Sequence, residues 1–90
     1  MKMTVRKQLL DLPVGINGRV VEVASRDSRV SEEIVRRLAE LGFLPGERVR
    51  IIARSFLSGE PLAVRVGTGT FALRKLEAAC IAIEPDTAMA

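Results

Sequence analysis

The sequence has no histidine, no tryptophan, no tyrosine and a single cysteine. Without histidine the chain lacks the commonest general base, proton shuttle and metal ligand at once. Zinc fingers, zinc hydrolases and Ser-His-Asp or Cys-His enzymes are therefore excluded within this chain. Cys80 has no second cysteine to pair with, so a cytosolic compartment fits better than a secreted one. Aromatic residues are 3% of the chain, all of them phenylalanine (Phe43, Phe56 and Phe71), so aliphatic side chains must build the core. The longest apolar run, Ala78 to Ile83, falls far short of the ~18 residues that a membrane-spanning helix needs. No signal peptide is recognisable. A Gly-Lys-Ser/Thr phosphate loop is also missing, so the chain is not expected to bind GTP by itself.

What is present is a 90-residue chain, 48% hydrophobic and 28% charged. That length suits one domain and is too short for two. A chain this small buries only about 60% of its unfolded surface, which predicts modest stability. The net charge is +3, and eleven arginines outnumber three lysines. They are spread along the chain, unlike a polybasic tail.

Residues 1–8 are polar and expected to be loose. Leu9 to Gly15 is too short for a stable helix and reads as a docked segment with Leu9 and Leu12 inward. Asn17-Gly18 is a turn dipeptide. Arg19 to Ala24 reads as a strand with Val21 and Val23 on one face, and Ser25 to Arg29 as a loop. A helix follows. Ser31 is its N-cap, Glu32 and Glu33 suit the positive end of its dipole, and Val30 with Val35 form a hydrophobic staple. Ile34, Val35, Leu38 and Leu41 make its apolar stripe, Gly42 ends it, and Phe43 is placed to touch Leu38 as in a Schellman ending. Leu44-Pro45-Gly46-Glu47 is a type II turn.

Arg48 to Arg54 alternates as a half-buried strand, with Val49, Ile51 and Ala53 inward and Arg48, Arg50, Ile52 and Arg54 outward. Ser58 to Pro61 turns the chain into a strand at Leu62 to Val66. Gly67 to Thr70 turns again, Phe71 to Leu73 is a short strand, and Arg74 to Ala79 suits one helical turn. Ile81 to Ile83 is the last strand, and Asp86 to Ala90 is a tail. Five short strands with tight turns and one helix after the first strand predict a mainly β chain folded as a small barrel, which would leave no exposed sheet edge.

The motif Gly67-x-Gly69-x-x-Ala72 fits a loose dinucleotide pattern, but too little chain follows it for the required helix and acidic residue, so a hairpin turn is expected. Cys80 reads as a small core hydrophobe. Glu32 with Glu33, and Glu84 with Asp86, are solvated charge or at most a weak surface site for a divalent cation; no cofactor is called for. Arg48, Arg50 and Arg54 on one strand face, with Arg65 and Arg74 on later strands, allow an alternative: a basic barrel binding nucleic acid through phosphates. Such barrels usually stack bases on aromatics, and here all three phenylalanines are assigned core or staple duties, so nucleic acid is not the favoured partner. An enzyme is least favoured, because no pair of acid–base groups is placed by a recognisable motif.

The run Arg37-Leu38-Ala39-Glu40-Leu41-Gly42-Phe43-Leu44-Pro45-Gly46-Glu47 resembles the centre of the FeoA family, ferrous iron transport protein A. The likeness continues through Arg48 to Ile52, Gly59-Glu60-Pro61-Leu62 with Val64 and Val66, Phe71 to Arg74, Glu77-Ala78, Ile81 and Ile83. Leu9, Leu12 and Gly15 fit its opening. Pro13-Val14-Gly15 departs from the family, which more often sets proline next to the glycine. The resemblance implies an SH3-like β-barrel over residues 9–84, between a loose start at 1–8 and a tail at 85–90. It also implies a cytoplasmic, non-catalytic accessory protein of a ferrous iron uptake system. The implied partner is the membrane transporter's cytoplasmic GTP-binding domain. A repressor is not expected, since no DNA-binding helical domain precedes the barrel. On this reading Arg36, Arg37, Phe43 and Leu44 at the helix end are the candidate contact residues, and Gly42, Pro45 and Gly46 shape the turn beneath them. Self-association into a small homo-oligomer stays open.

Overall fold

The computed structural model describes residues 7–25 and 28–86. The expected N-terminal tail, apart from Lys7 and Gln8, lies outside the described residues, as do Arg26 and Asp27 of the loop before the helix and the end of the chain after Asp86. Six strands form one antiparallel sheet: β1 (Lys7–Gln8), β2 (Asn17–Val23), β3 (Arg48–Arg54), β4 (Leu62–Val66), β5 (Gly69–Leu73) and β6 (Ile81–Pro85). Their order across the sheet is β1-β6-β2-β3-β4-β5. Helix α1 (Glu32–Leu41) links β2 to β3, and a single turn, α2 (Lys75–Ala78), links β5 to β6. The chain is mainly β with one substantial helix, as its residue pattern predicts. This six-stranded antiparallel sheet is compatible with the small barrel expected from the sequence.

The helix forms where local chemistry requires it. Ser31 Oγ accepts from the Ile34 amide at 3.3 Å. At the other end the Gly42 amide donates to the Ala39 carbonyl and the Phe43 amide to the Leu38 carbonyl, at 3.0 and 3.1 Å. That bond pair is the Schellman ending, and it needs Gly42 at φ +120°. The Glu47 amide then donates to the Leu44 carbonyl at 2.9 Å, closing a turn with Pro45 and Gly46 at its centre and Gly46 at φ +92°.

The core is aliphatic with one large aromatic. Leu9, Phe43, Ile51, Leu62, Val64 and Ile81 have no exposed surface, and Leu12 has 1%. Leu9 and Leu12 point inward as read, carried by a 3-10 turn over Leu9–Asp11. Phe43 meets Phe71 with ring centroids 6.4 Å apart and planes tilted by 60°, a favourable edge-biased geometry. Cys80 is buried, and its thiol donates to the Leu76 carbonyl at 3.3 Å.

Two bulges overturn parts of the strand reading. In β2 the register against β6 shifts between Val20 and Glu22. Val20 faces buried Ile83 and Val23 faces buried Ile81, so Val20, not Val21, shares the inner face with Val23. In β3 the register against β4 shifts between Ile51 and Ala53. Ala53 then opposes Ala63, and Arg54 opposes the fully buried Leu62. An extra residue reverses the alternation beyond it, which moves Arg54 off the outer face where simple period-two counting placed it. Asn17-Gly18 is also not a turn; it opens β2. A Cβ at Gly18 would lie 3.2 Å from the Glu84 carbonyl oxygen and 3.3 Å from Leu12 Cδ2, so glycine here admits the close approach of β6 and the docked segment.

Candidate interaction surface

Arg36 and Arg37 lie midway along α1, and Leu44 lies beyond its end, about two turns further on. Arg36 is exposed. Arg37 Nη1 sits 3.8 Å from Glu77 Oε2, tying α1 to α2. With the arginine largely in solvent such a pair contributes little to stability, so its effect is mainly to orient Arg37 toward α2. Leu44 is 47% exposed on its turn. Phe43 has no exposed surface, so its side chain packs the core and offers nothing to a partner. Gly42, Pro45 and Gly46 act as backbone devices, as read.

The most exposed apolar side chains lie elsewhere. Phe56 and Leu57 are 96% and 90% exposed, on the connection between β3 and β4. The core or staple duty expected of Phe56 is therefore overturned. Arg54 is turned inward by the bulge, and the chain leaves the sheet before Phe56 can reach the core. The base of this connection is pinned. The Gly59 amide donates to the Ser55 carbonyl at 3.0 Å, Ser58 Oγ to the Glu60 carbonyl at 2.9 Å, and the Lys75 amide to Glu60 Oε2 at 2.9 Å. A fixed loop thus holds two large apolar side chains in solvent. Sequence reading missed them, although Phe-Leu between a strand end and Ser-Gly was the available signal.

Arg54 has a structural task instead of a surface one. Its Nη2 donates to the Leu10 carbonyl at 2.8 Å and the Leu12 carbonyl at 2.9 Å. One guanidinium therefore fastens the docked segment, with Leu9 and Leu12 beneath it, against the end of β3. The other arginines of the predicted stripe do meet. Arg50 on β3 is directly opposite Arg65 on β4, and Arg48 is opposite Arg19 on β2. Arg19 is occupied, with Nη1 donating to the Gly46 carbonyl at 3.0 Å. Arg74 precedes α2, and its amide donates to Glu77 Oε1 at 2.9 Å, away from this face.

Chemistry is sparse by comparison. Among the described residues no group of three or more Cys, Asp or Glu side chains is placed to hold a metal ion. No polar or charged residue among them is buried. Gly67, of the loose dinucleotide pattern, sits at φ +58° in the hairpin between β4 and β5, with Val66 opposite Gly69. No helix among the described residues is long and apolar enough to cross a membrane.

Comparison with known proteins agrees with this architecture. The FeoA domain model matches residues 7–85. Stenotrophomonas maltophilia FeoA, solved in complex with zinc and described as a prokaryotic SH3 domain protein, is 40% identical, with a TM-score of 0.74 over 91% of this chain and 92% of that one. Iron(II) transport protein A from Clostridium thermocellum is 31% identical, with a TM-score of 0.77 over 90% of this chain and 46% of that one. A manganese-dependent transcriptional repressor shares the fold at 22% identity and a TM-score of 0.75, over 94% of this chain and 44% of that one. No curated protein matches the chain in sequence. With a family match from β1 to β6 and a 40%-identical structure spanning nine-tenths of both chains, the chain belongs to the FeoA family and has its SH3-like fold.

Proposed function

We propose that this FeoA-family protein is a non-catalytic accessory protein of a bacterial ferrous iron uptake system, acting in the cytoplasm by binding the cytoplasmic GTP-binding domain of the membrane ferrous iron transporter. Membership of the family supports the role in ferrous iron transport, and the Stenotrophomonas relative is itself described as a proposed activating factor of that transport. The observation that carries the binding reading is the Phe56–Leu57 tip, 96% and 90% exposed on a pinned loop. Exposed apolar anchors on a rigid support are what protein interfaces bury at their centres. Leu44, on the turn before β3, and Arg36 on α1 are a second proposed contact, with an apolar anchor and a cation for an acidic partner surface.

The test is isothermal titration of this chain into the isolated cytoplasmic domain of its cognate transporter, with GDP and then with a GTP analogue. Saturable binding that differs between nucleotides is expected. Phe56→Asp with Leu57→Asp is expected to weaken it by at least about thirtyfold, the loss typical of a central anchor. Leu44→Asp with Arg36→Glu tests the second contact. Full affinity in both folded double mutants would place the interface elsewhere, and no binding by the native chain would reject this partner.

A further inference from the structure

Arg48, Arg50 and Arg65 line a shallow cleft of about 280 Å³ together with Asn17, Glu47 and Gly67, on the outer face of β2, β3 and β4. We propose that this cleft is a binding site for a small polyphosphate anion of the pyrophosphate class, whether free or as the phosphate chain of a nucleotide. The site lies apart from the Phe56–Leu57 tip and does not depend on transporter binding.

The argument starts from repulsion. Arg50 and Arg65 are directly opposite across adjacent antiparallel strands, and Arg48 lies two residues from Arg50 on the same face. Like charges placed directly opposite destabilise a sheet. None of the three guanidinium groups makes a hydrogen bond or ion pair among the described residues, in contrast to Arg19, Arg37 and Arg54. The fold therefore keeps a cationic cluster with excess positive charge on rigid, paired strands. An anion that bridges the guanidiniums removes that repulsion.

The chemistry of the cluster narrows the anion. Each guanidinium presents a planar fork of donors suited to phosphate or carboxylate oxygens. One carboxylate satisfies one fork and carries one charge. Three forks converging on one cleft call for an anion with many oxygens and more than one charge. Three guanidiniums against the single Glu47 carboxylate leave two positive charges, which suits a polyphosphate. An acidic strand would space its same-face carboxylates at about 7 Å and fit an extended stripe better than a concave cleft. No aromatic side chain lines the cleft, so nothing there stacks a nucleobase. Recognition would therefore rest on the phosphates alone.

The experiment is isothermal titration and thermal unfolding of the full chain with sodium pyrophosphate, ADP and AMP in about 50 mM salt, where phosphate contacts are least screened. Pyrophosphate and ADP should bind saturably and alike, raise the unfolding temperature, and exceed AMP. Arg50→Gln and Arg65→Gln should each weaken pyrophosphate binding by about tenfold or more, as loss of a bidentate charge-assisted contact does. Both variants remove a like-charge pair, so folding should be kept, and circular dichroism checks this. Arg74→Gln, at a residue that precedes α2 and lies outside the cleft, should bind as the native chain does. No saturable pyrophosphate binding up to about 10 mM would overturn the proposal, since that corresponds to an affinity too weak for a built site. Binding unchanged in both cleft variants would overturn it too. So would ADP bound without pyrophosphate, or an oligonucleotide bound through these arginines while pyrophosphate is not. Because pyrophosphate is tested without any protein partner, failure here leaves the transporter reading standing, and the converse also holds.

Discussion

Arg54 shows how much one residue can hold. Its guanidinium donates to two carbonyls of the docked N-terminal segment, at 2.8 and 2.9 Å, and that segment carries the buried Leu9 and Leu12. Hydrogen bonds from a charged donor to otherwise unserved carbonyls are worth about 1.5–3 kcal/mol. Arg54→Ala is therefore expected to lower the unfolding free energy by about 2–3 kcal/mol, read by urea denaturation with unchanged dependence on denaturant. Arg48→Ala, on the partnerless outer face, should change stability by less than about 0.5 kcal/mol in the same assay. Equal effects of the two substitutions would show that Arg54 does not anchor the segment. Both residues read as outward arginines in the sequence, because alternation alone cannot register the extra residue at Ile52. Phe56 went astray for a related reason: its hydrophobicity argues for burial, but the chain has already left the sheet.

Among the elements, α1 is the one most completely specified by its own residues. Ser31 at the start, the glutamates of the first turn, the apolar stripe and Gly42 at the end act over a few residues each, and the structure realises all of them. Ser31→Ala should cost about 1 kcal/mol of stability, and Ser31→Asp should preserve it, because either oxygen can cap the free amides. Thermal unfolding of the two variants checks this, and an alanine variant as stable as the native chain would mean that packing alone holds the helix end. The hairpin turns were legible for the same local reason. The bulges in β2 and β3 were not, since they depend on which strand lies alongside. In β2 the neighbour that imposes the irregular register is β6, from the far end of the chain.

At the scale of the whole molecule, stability is concentrated in the middle of the sheet. Strands β2, β3, β4 and β6 have neighbours on both sides, while β1 and β5 have one each. Native-state hydrogen exchange should therefore find the slowest amides in β2, β3, β4 and β6, with β5 and the short β1 opening at lower free energy. Uniform protection across all six strands would contradict this distribution. The same architecture separates the proposed contact surfaces. The Phe56–Leu57 tip and the Leu44 turn stand at opposite ends of β3, and the arginine cleft lies on the outer face between β2 and β4. Their spread over distinct surfaces lets each proposed contact be removed by substitution without touching the aliphatic core.

The local elements were written in the residue order. Caps, turn glycines and apolar runs act between near neighbours, so the helix, the turns and the mainly β character follow from the chain alone. The absence of histidine likewise removed whole classes of chemistry without any coordinates. Long-range pairing settled the rest. Contact with β6 made Gly18 part of a strand, and the bulge opposite β4 sent Arg54 inward. Sheet order brought Arg48, Arg50 and Arg65 to one cleft, although Arg65 is far from the other two in sequence. These outcomes depend on register and on which strands become neighbours, and neither is encoded in the spacing of residues along one strand.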